Sequence, residues 1–502
     1  SVLGNRGYAF AEVSGDPEVD QDTSNVKLIF SIQPGKKTYT RKILFTGNQV
    51  TQDHVLRREM RQFEGAWSSD DSIEAGKIRL ERLGYFKEVN VETIPVPGTD
   101  DQIDVLYEVE EETTGSLGGN IGYSDFGLML GFNLQEQNFL GSGNTVGIGI
   151  NKNIYSEVYN ISFLDPYATK DGVSLGYNLY FRETDYGEFN VANYLTNSNG
   201  LGVQFGYPIS DITRLNFNLT YDKTDIDIGT LPAREIYDFV AAEGNLFETL
   251  SLGFTWQRVT LNRGLFPTDG SSTSFTLTST IPGSDINYYR ANIRQRFYQP
   301  LSSQLVFGFQ GELGYLDAYG ETDETPFFQN FYAGGPRSLR GFESNTLGPR
   351  STNAPCYEFN YDDGTCPNLI DTDGDGELDS PYYNPYATNQ YSSRSRYRDP
   401  PIGGNVKIEG SLQLIFRLPF IEDQRSLRSA FFFDFGNVFS DNCKEYQFNC
   451  YKPSIDDLRY SYGVGVTWIT GFGPMSLAIA KPTNAGPQER TEEFQFTVGN
   501  VF

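Results

Sequence analysis

The stretch that decides the fold is VKIEGSLQLIFRL at positions 406–418. Its side chains alternate between apolar and polar, so one set falls on each face of an extended strand. The apolar face carries Ile408, Leu412, Leu414, Phe416 and Leu418, and the polar face carries Lys407, Glu409, Ser411, Gln413 and Arg417. The same alternation recurs at positions 289–297 and 460–468. A period of two prevails from residue 115 to residue 502, which predicts an antiparallel β-protein over that span.

Two architectures accommodate such strands. A soluble β-sandwich would turn the apolar faces inward, whereas a membrane barrel would turn them toward lipid and line its lumen with the polar faces, arginines included. At roughly 24 residues per strand and turn, this span holds about sixteen strands, and an open sheet rarely exceeds about ten. Closure removes the sheet edges and leaves no backbone polar group unpaired in lipid. Residues 113–502 are therefore predicted to form a membrane β-barrel of about sixteen antiparallel strands.

Composition agrees with this prediction. The chain of 502 residues is 15% aromatic and contains 52 glycines, which indicates many strands and turns. It has no run of 18 or more apolar residues, which excludes a helical membrane protein but leaves a barrel open. Its net charge of −26 argues against a nucleic-acid partner, which would need a basic surface. No signal peptide begins at Ser1, so a mature or truncated form is expected.

A different periodicity precedes residue 113. Residues 37–112 are predicted to form a small β-α-α-β-β module, and its clearest element is a helix at 69–83, capped by Ser68 or Ser69 and stopped by Gly84. The other predicted elements are a helix at 51–60 and strands at 39–45, 86–94 and 103–109. This order resembles a POTRA module. Residues 1–36, with a helix ending near Gly7 and one strand at 26–32, resemble the C-terminal part of another.

The four cysteines form two close pairs in polar, turn-rich stretches, Cys356 with Cys366 and Cys443 with Cys450. Such spacing favours two local disulfides in an oxidising compartment. A four-ligand metal site is disfavoured, because the single histidine, His54, is hundreds of residues away in sequence. A hydrolase built on the barrel would need a histidine beside a nucleophile in the barrel itself, whereas His54 lies in the predicted helix of the module before it. No enzymatic activity is therefore expected.

The predicted barrel is interrupted by a loop at 317–405 that is far longer than an ordinary hairpin connection. It contains FYAGGPRSLRGFESNTLGP at 331–349. The Leu339, Arg340, Gly341, Phe342 tetrad resembles the V/I/L-R-G-F motif of the outer-membrane assembly superfamily, and the flanking residues resemble its BamA-type branch. Further similar stretches are VLRREMRQ at 55–62, RLGYF at 82–86, FPTDG at 266–270 and IPGS at 281–284, so the resemblance covers almost the whole chain.

The resemblance implies that the tetrad lies inside the barrel lumen and that acidic groups on the inner wall hold Arg340. A guanidinium in a confined polar lumen needs carboxylate or carbonyl partners. Carried over by motif, the wall partners are Asp434 and the position of Gln413. The family usually has glutamate at the latter position, so one charge is missing, and Glu409 on the same strand face is a possible substitute.

The resemblance also implies a weakly paired seam between the first strand, near 115–123, and the last, near 493–502. Glycines weaken strands and permit kinks, and the candidate seam residues are Gly115, Gly118, Gly119, Gly122, Phe494, Phe496, Gly499 and Phe502. An open seam would expose strand edges to which a client strand could add. The alternative is that these glycines serve only lumen packing and curvature. A last strand ending on an aromatic residue is common in bacterial outer-membrane barrels.

By resemblance, the chain is the central component of a β-barrel assembly machinery in the bacterial outer membrane, with its POTRA modules in the periplasm. The expected partners are unfolded barrel clients, the lipid bilayer with lipopolysaccharide, and accessory lipoproteins docked on the POTRA modules. A candidate docking patch is Arg57, Arg58, Glu59 and Arg61, although charged helix faces are often merely solvated. The alternatives are a superfamily transporter for a dedicated secreted or autotransporter substrate and, from another class, a passive porin.

No cofactor is expected. One weak candidate for a calcium loop exists in the long loop, where the spacing of Asp371, Asp373, Asp375 and Asp379 resembles an EF-hand. Tyr382 occupies the place of the bidentate glutamate, so a solvated acidic loop is the simpler interpretation.

Overall fold

A computed structural model describes residues 2–20, 25–124, 127–188, 191–229, 232–354, 360, 400–418, 421, 425–447, 449–471 and 473–499. The predicted disulfide between Cys356 and Cys366, the candidate calcium loop at Asp371, Asp373, Asp375 and Asp379, and the terminal Phe502 lie outside these residues. Contacts within the described chain define two compact units, which are treated separately below.

The first unit contains the module preceding the barrel strands. Its elements are strands β1 (Glu12–Asp20), β2 (Asn25–Gln33) and β3 (Tyr39–Thr46), helices α1 (Asp53–Arg57) and α2 (Asp70–Arg82), and strands β4 (Phe86–Pro95) and β5 (Gln102–Glu111). β3, β5 and β4 form a mixed sheet in that order, with β3 parallel and β4 antiparallel to β5. The order β-α-α-β-β from residue 39 onward is as predicted.

The second helix begins and ends where its caps require. The Ser69 hydroxyl accepts a hydrogen bond from the Ser72 N–H at 3.4 Å, Asp70 and Asp71 occupy the first turn, and Gly84 follows the helix with φ of 69°. Its apolar face, with Ile73 and Leu80, is buried in the module's core.

Two predictions for this part are corrected. Residues 1–36 form one 3-10 turn at Gly4–Arg6 and an antiparallel hairpin of β1 and β2, where only one strand was expected. β1 is rich in acidic residues and contains Gly15 and Pro17, so its sequence resembles a loop more than a strand. The helix expected at 51–60 is only Asp53–Arg57, because the chain leaves the helix after Arg58.

A carboxylate from β5 fixes the turn before α1. The Glu111 carboxylate accepts hydrogen bonds from the backbone N–H groups of Gln49, Val50 and Thr51 at 3.0, 2.9 and 2.6 Å. Burial alone would raise the pKa of Glu111, but these hydrogen bonds hold that pKa below its ordinary value. Charge-assisted bonds of this kind order an otherwise irregular turn.

Most of the remaining described chain, outside the long loop, is β-structure. In chain order its strands are β6 (Gly115–Ser124), β7 (Gly127–Glu136), β8 (Thr145–Lys152), β9 (Ser156–Asp165), β10 (Ser174–Asp185), β11 (Leu195–Ser210), β12 (Thr213–Asp227), β13 (Leu246–Val259), β14 (Gly270–Thr280), β15 (Tyr288–Pro300), β16 (Leu305–Ala318), β17 (Gly341–Phe342), β18 (Val406–Phe416), β19 (Leu427–Phe439), β20 (Arg459–Thr470), β21 (Gly473–Pro482), β22 (Thr491–Glu492) and β23 (Phe494–Val498). One further helix, α3 (Arg234–Glu243), lies between β12 and β13. No helix in the described ranges is long and apolar enough to cross a membrane.

Within the described residues, every strand of this group except β17 and β22 joins one closed sheet of sixteen strands. Neighbours along the chain are neighbours in the sheet, and the circle closes where β23 meets β6. The predicted number of strands and the closure are both confirmed.

The faces of the sheet are inverted relative to a soluble protein. Leu412 and Leu414 are each 38% exposed, whereas Gln413 between them is buried. The same holds around Phe431 and Phe433, which are exposed, and Phe432 and Asp434, which are buried. Apolar side chains that face outward in a closed sheet are stable in lipid but not in water, so the sandwich alternative is rejected.

Candidate functional site: a lumenal loop and the barrel seam

The tetrad of the long loop lies in the interior of the barrel unit. Leu339 and Phe342 are fully buried in a hydrophobic cluster with Leu347 and Val438, and Arg340 is 6% exposed. Gly341 has φ of 91°, and a Cβ there would lie 3.1 Å from the Cβ of Ala480. This position therefore requires glycine for its backbone conformation and for its close approach to the wall.

Arg340 is held by the wall residue that the motif implies. Its Nε and one terminal nitrogen donate to the two Asp434 carboxylate oxygens, each at 2.7 Å, and its backbone N–H donates to the same carboxylate at 3.2 Å. Asp434 is completely buried on β19. The contact is a bidentate buried ion pair, a geometry that fixes both position and orientation of the guanidinium.

Two more wall residues complete the arginine pocket. The Ser411 hydroxyl on β18 accepts from the Arg340 guanidinium at 3.0 Å. The guanidinium also lies over the ring of Phe432, 3.4 Å from its centroid. An aromatic face attracts a cation, especially where water is excluded. Neither residue was singled out from the sequence.

The other two predicted wall partners have different roles. Gln413 donates to the Ser411 hydroxyl at 3.3 Å and so acts on Arg340 only through that serine. Glu409 accepts a hydrogen bond from the Ser338 hydroxyl and pairs with Lys407 at 3.0 Å. Glu409 does bind the loop, but at Ser338. Glu409 therefore does not supply the charge missing at Gln413. A second carboxylate is not required, because Asp434 binds the guanidinium with both oxygens and the ring of Phe432 lies against its face.

The seam closes the sheet where its first and last strands meet. Among the residues that the structure describes, Tyr123 of β6 and Val498 of β23 are in register there. On its other edge β23 shares five registered pairs with β21. Over the described residues β23 runs from Phe494 to Val498, and Gly499 follows it with φ of 83°. The strand predicted over 493–502 is present over these five residues, and its last three positions lie outside the described ones.

The seam glycines divide into two kinds. A Cβ on Gly122 would lie 3.1 Å from the Val498 carbonyl oxygen, and one on Gly499 would lie 3.2 Å from the Gly122 Cα. These two glycines allow the strands to approach. Among the described residues, a Cβ on Gly118 or Gly119 would have its nearest neighbour 3.9 Å away, which is ordinary van der Waals contact. Gly115 is different again, since a Cβ there would meet the Glu136 carboxylate at 2.9 Å.

The last strand presents opposite faces to lipid and lumen. Phe494 is 59% exposed and Phe496 half-buried, whereas Gln495 and Thr497 are buried. On the lumenal side, β17 of the tetrad pairs antiparallel with β22, with Gly341 opposite Glu492 and Phe342 opposite Thr491. The long loop therefore contacts the chain segment that leads into the seam strand.

Most of the charged side chains in the candidate docking patch form ion pairs with other residues of the first unit. Glu59 is buried and pairs with Arg79 at 2.7 Å and Arg58 at 3.7 Å, and Arg57 pairs with Asp53 and Glu64. Arg61 remains exposed, and so does His54. The patch was assigned to one surface of a helix, but the helix ends at Arg57 and the chain then turns Glu59 inward. The carboxylate of Glu59 is not available at the surface.

The second cysteine pair forms the predicted disulfide, Cys443 with Cys450. It closes a short loop after β19. From that loop the Asn449 carbonyl accepts from the backbone N–H of Arg350 in the long loop at 3.0 Å.

Together, the inverted closed sheet and the internal arginine clamp define a transmembrane β-barrel of the bacterial outer membrane with a POTRA module before it. The Omp85 superfamily domain matches residues 138–502, and the POTRA family, described as surface antigen variable number repeat, matches residues 38–112. The chain belongs to the Omp85 superfamily, in its BamA-type branch.

The most informative relatives are assembly factors. The outer membrane protein assembly factor BamA of Neisseria meningitidis serogroup B is 31% identical over 527 residues, which cover 100% of this chain and 61% of that protein. The protein of the same name from Buchnera aphidicola is 30% identical over 50% of this chain and 42% of its own length. The present chain thus spans about three fifths of the length of the Neisseria protein, and its match covers less than half of the Buchnera protein.

A solved structure supports the same assignment. The crystal structure of BamA from Haemophilus ducreyi lacking POTRA domains 1-3 superimposes with a TM-score of 0.80 at 31% identity. The match covers 99% of this chain and 91% of that one.

Proposed function

We propose that this chain is the central part of a machine that folds and inserts β-barrel proteins into the bacterial outer membrane, and that clients enter through the seam between β6 and β23. The observation that carries the proposal is the junction where the first and last strands of the closed sheet meet: Tyr123 and Val498 are in register there, and Gly122 and Gly499 lie side by side at the same crossing. Opened at this junction, the two strands would present unpaired N–H and C=O groups, which are a template for an incoming strand.

The surroundings of the seam support this role over that of a passive pore. A porin needs an open aqueous lumen, but here the tetrad and its flanking loop occupy the interior, bound to β18 and β19. The dedicated-substrate transporter remains a superfamily alternative. The relatives are named as assembly factors, which favours a role in assembly over transport of one dedicated substrate.

The remaining parts of the proposal concern partners and chemistry. The POTRA module would lie in the periplasm, receive unfolded clients and dock accessory lipoproteins, while the barrel contacts lipid and lipopolysaccharide. Arg57 and Arg61 are the exposed members of the docking patch. The work would be non-enzymatic and free of cofactors, because strand addition exchanges hydrogen bonds without covalent chemistry.

The test is to lock the seam. Cells depleted of their own assembly factor would carry this barrel on a full periplasmic arm with Tyr123→Cys and Val498→Cys, a registered pair across the seam. The folded fraction of unrelated outer-membrane barrels is read from their heat-modifiable mobility on gels. Under oxidation we expect folding of clients to stop, and under reduction to resume.

The matched control is Ile479→Cys with Phe494→Cys, a registered pair of exposed residues at the β21–β23 junction. Locking that already paired junction should leave client folding unchanged. Continued client folding with the seam locked would refute entry through the seam. Failure of one dedicated substrate alone, with general clients unaffected, would favour the transporter.

A further inference from the structure

We infer that Gln495 is a positioning residue that ties the seam strand β23 to the lumenal tetrad, so that the seating of the tetrad determines how firmly β23 is held. The inference rests on the proposed function, because it assigns a control element to the proposed seam. It concerns a side chain that the arginine clamp does not include.

The contact is made by one planar amide with two neighbouring backbone groups. Gln495 Nε2 donates to the Phe342 carbonyl at 2.8 Å, and Gln495 Oε1 accepts from the Gly341 N–H at 3.3 Å. The side chain is 1% exposed and points to the lumenal side of β23. A glutamine is suited to this position because it supplies a donor and an acceptor at once; glutamate lacks the donor and leucine lacks both.

The amide continues a ladder that the backbone begins. β17 and β22 pair through Gly341 with Glu492 and Phe342 with Thr491, and the Glu343 N–H donates to the Arg490 carbonyl at 3.0 Å. Three residues beyond Glu492, Gln495 binds the same two tetrad residues through its side chain. The tetrad is thus bonded both to the segment before β23 and to β23 itself.

The tetrad in turn is anchored on the opposite side of this contact. Arg340 is fixed to Asp434 of β19, whereas Gln495 belongs to β23, and β20 and β21 lie between these strands in the sheet. The connected residues Asp434, Arg340, Gly341 and Gln495 form a strut across the lumenal face of two intervening strands. Such a strut carries force because each end is buried and hydrogen-bonded.

The strut matters because β23 is one of the two strands that the proposed seam must part. Its edge toward β21 is paired over five residues, and its lumenal face is held by the Gln495 amide. When the edge toward β6 opens, as the proposed function requires, the contact on its face becomes a larger share of what holds β23. Release of the tetrad, or loss of the Gln495 amide, would therefore loosen β23 while leaving the rest of the wall paired.

The experiment measures amide hydrogen exchange of the full chain in lipid nanodiscs, with folding checked by heat-modifiable mobility. With Gln495→Leu we expect exchange across 494–498 to accelerate roughly tenfold to hundredfold, as the loss of two buried hydrogen bonds implies. Exchange in β11 and β12 should not change. If the leucine variant does not fold, Gln495→Met, which keeps the length of the side chain and likewise lacks both groups, should give an acceleration of the same size.

The matched control is Thr497→Val. Thr497 is buried on the same face of the same strand, and its hydroxyl oxygen has no hydrogen-bond partner among the described atoms. This variant should exchange like the wild type. An equal acceleration in both variants would show that any change on this face loosens β23, and would overturn the positioning role.

A double-variant comparison tests whether Gln495 acts through the tetrad. Arg340→Ala alone should accelerate exchange in β23, and adding Gln495→Leu to it should change the rate by no more than about twofold, because coupled sites are not additive. Independent, multiplying effects, or no effect of Arg340→Ala on β23, would refute the coupling. Neither readout uses client folding, so failure of this inference is distinguishable from failure of the seam-entry proposal.

Discussion

The wall of the barrel at β11 and β12 and its seam at β23 and β6 are built from the same kind of strand but differ in what binds the strands. Fifteen registered residue pairs join β11 to β12 edge to edge. At the seam, Gly122 and Gly499 lie at the crossing of the two strands, and an internal loop is bound to the lumenal face of β23. A closed barrel can therefore hold its wall by strand edges and still contain one strand whose position also depends on a loop in its interior.

The largest effect is expected from breaking the arginine clamp. Asp434→Ala leaves the Arg340 guanidinium buried without its carboxylate, and removal of one partner from a buried pair typically destabilises by roughly 3–5 kcal/mol. We expect the loop around 331–349 to become accessible to protease while the wall stays folded. A protease pattern identical to that of the wild type would contradict the clamp.

The next effect concerns the two close-approach glycines. Gly499→Ala must place a Cβ on a backbone with positive φ and 3.2 Å from the Gly122 Cα. A left-handed conformation costs a non-glycine residue about 1–2 kcal/mol. We expect the seam to open more readily, measured as faster disulfide trapping of a client strand at Tyr123→Cys. Unchanged trapping would show that this glycine does not support the seam.

The opposite effect on the seam is expected from an alanine at Gly119, three residues before Gly122 in β6. Gly119→Ala adds a methyl group whose nearest described neighbour would lie 3.9 Å away, and it restricts the unfolded chain. Such a change stabilises by about 0.4–1 kcal/mol where the native backbone accepts it. The same trapping assay should show slower capture. Faster capture would mean that glycine flexibility, and not close approach alone, matters in β6.

The smallest effect is expected in the wall. Lys223 on β12 pairs with Glu248 on β13 at 2.8 Å, and both side chains are at least 40% exposed. Solvent screens exposed ion pairs, which therefore contribute little to stability, so Lys223→Ala should leave the thermal midpoint of the heat-modifiable transition within error. A large shift would show that the wall depends on surface charge more than its strand pairing suggests.

Much of this comparison could be anticipated from the sequence, for identifiable reasons. A period of two is a direct consequence of strand geometry, so the barrel and the lipid-facing set around Leu412 and Leu414 were predictable. The pairing of Arg340 with Asp434 followed from a motif. The cap at Ser69 followed from local chemistry, because an N-cap involves only residues three apart.

Other features depend on where the chain turns, which the sequence does not encode locally. Glu59 was assigned to a surface because helix α1 was predicted three residues too long. Glu409 and Gln413 lie on the expected face, but which one reaches Arg340 depends on distances across the lumen. Gln495 lies on the lumenal parity between Phe494 and Phe496, yet only the folded loop shows what its amide binds.

The most direct test of the account is the protection of individual amides at the seam and in the wall of the unmodified protein in lipid nanodiscs. We predict rapid hydrogen exchange for the β6 amides that face β23, between Gly118 and Tyr123, and slow exchange for Leu201 to Phe205 of β11, which are paired with β12. Equal protection of the two regions would contradict the proposal that the seam between β6 and β23 opens to admit clients.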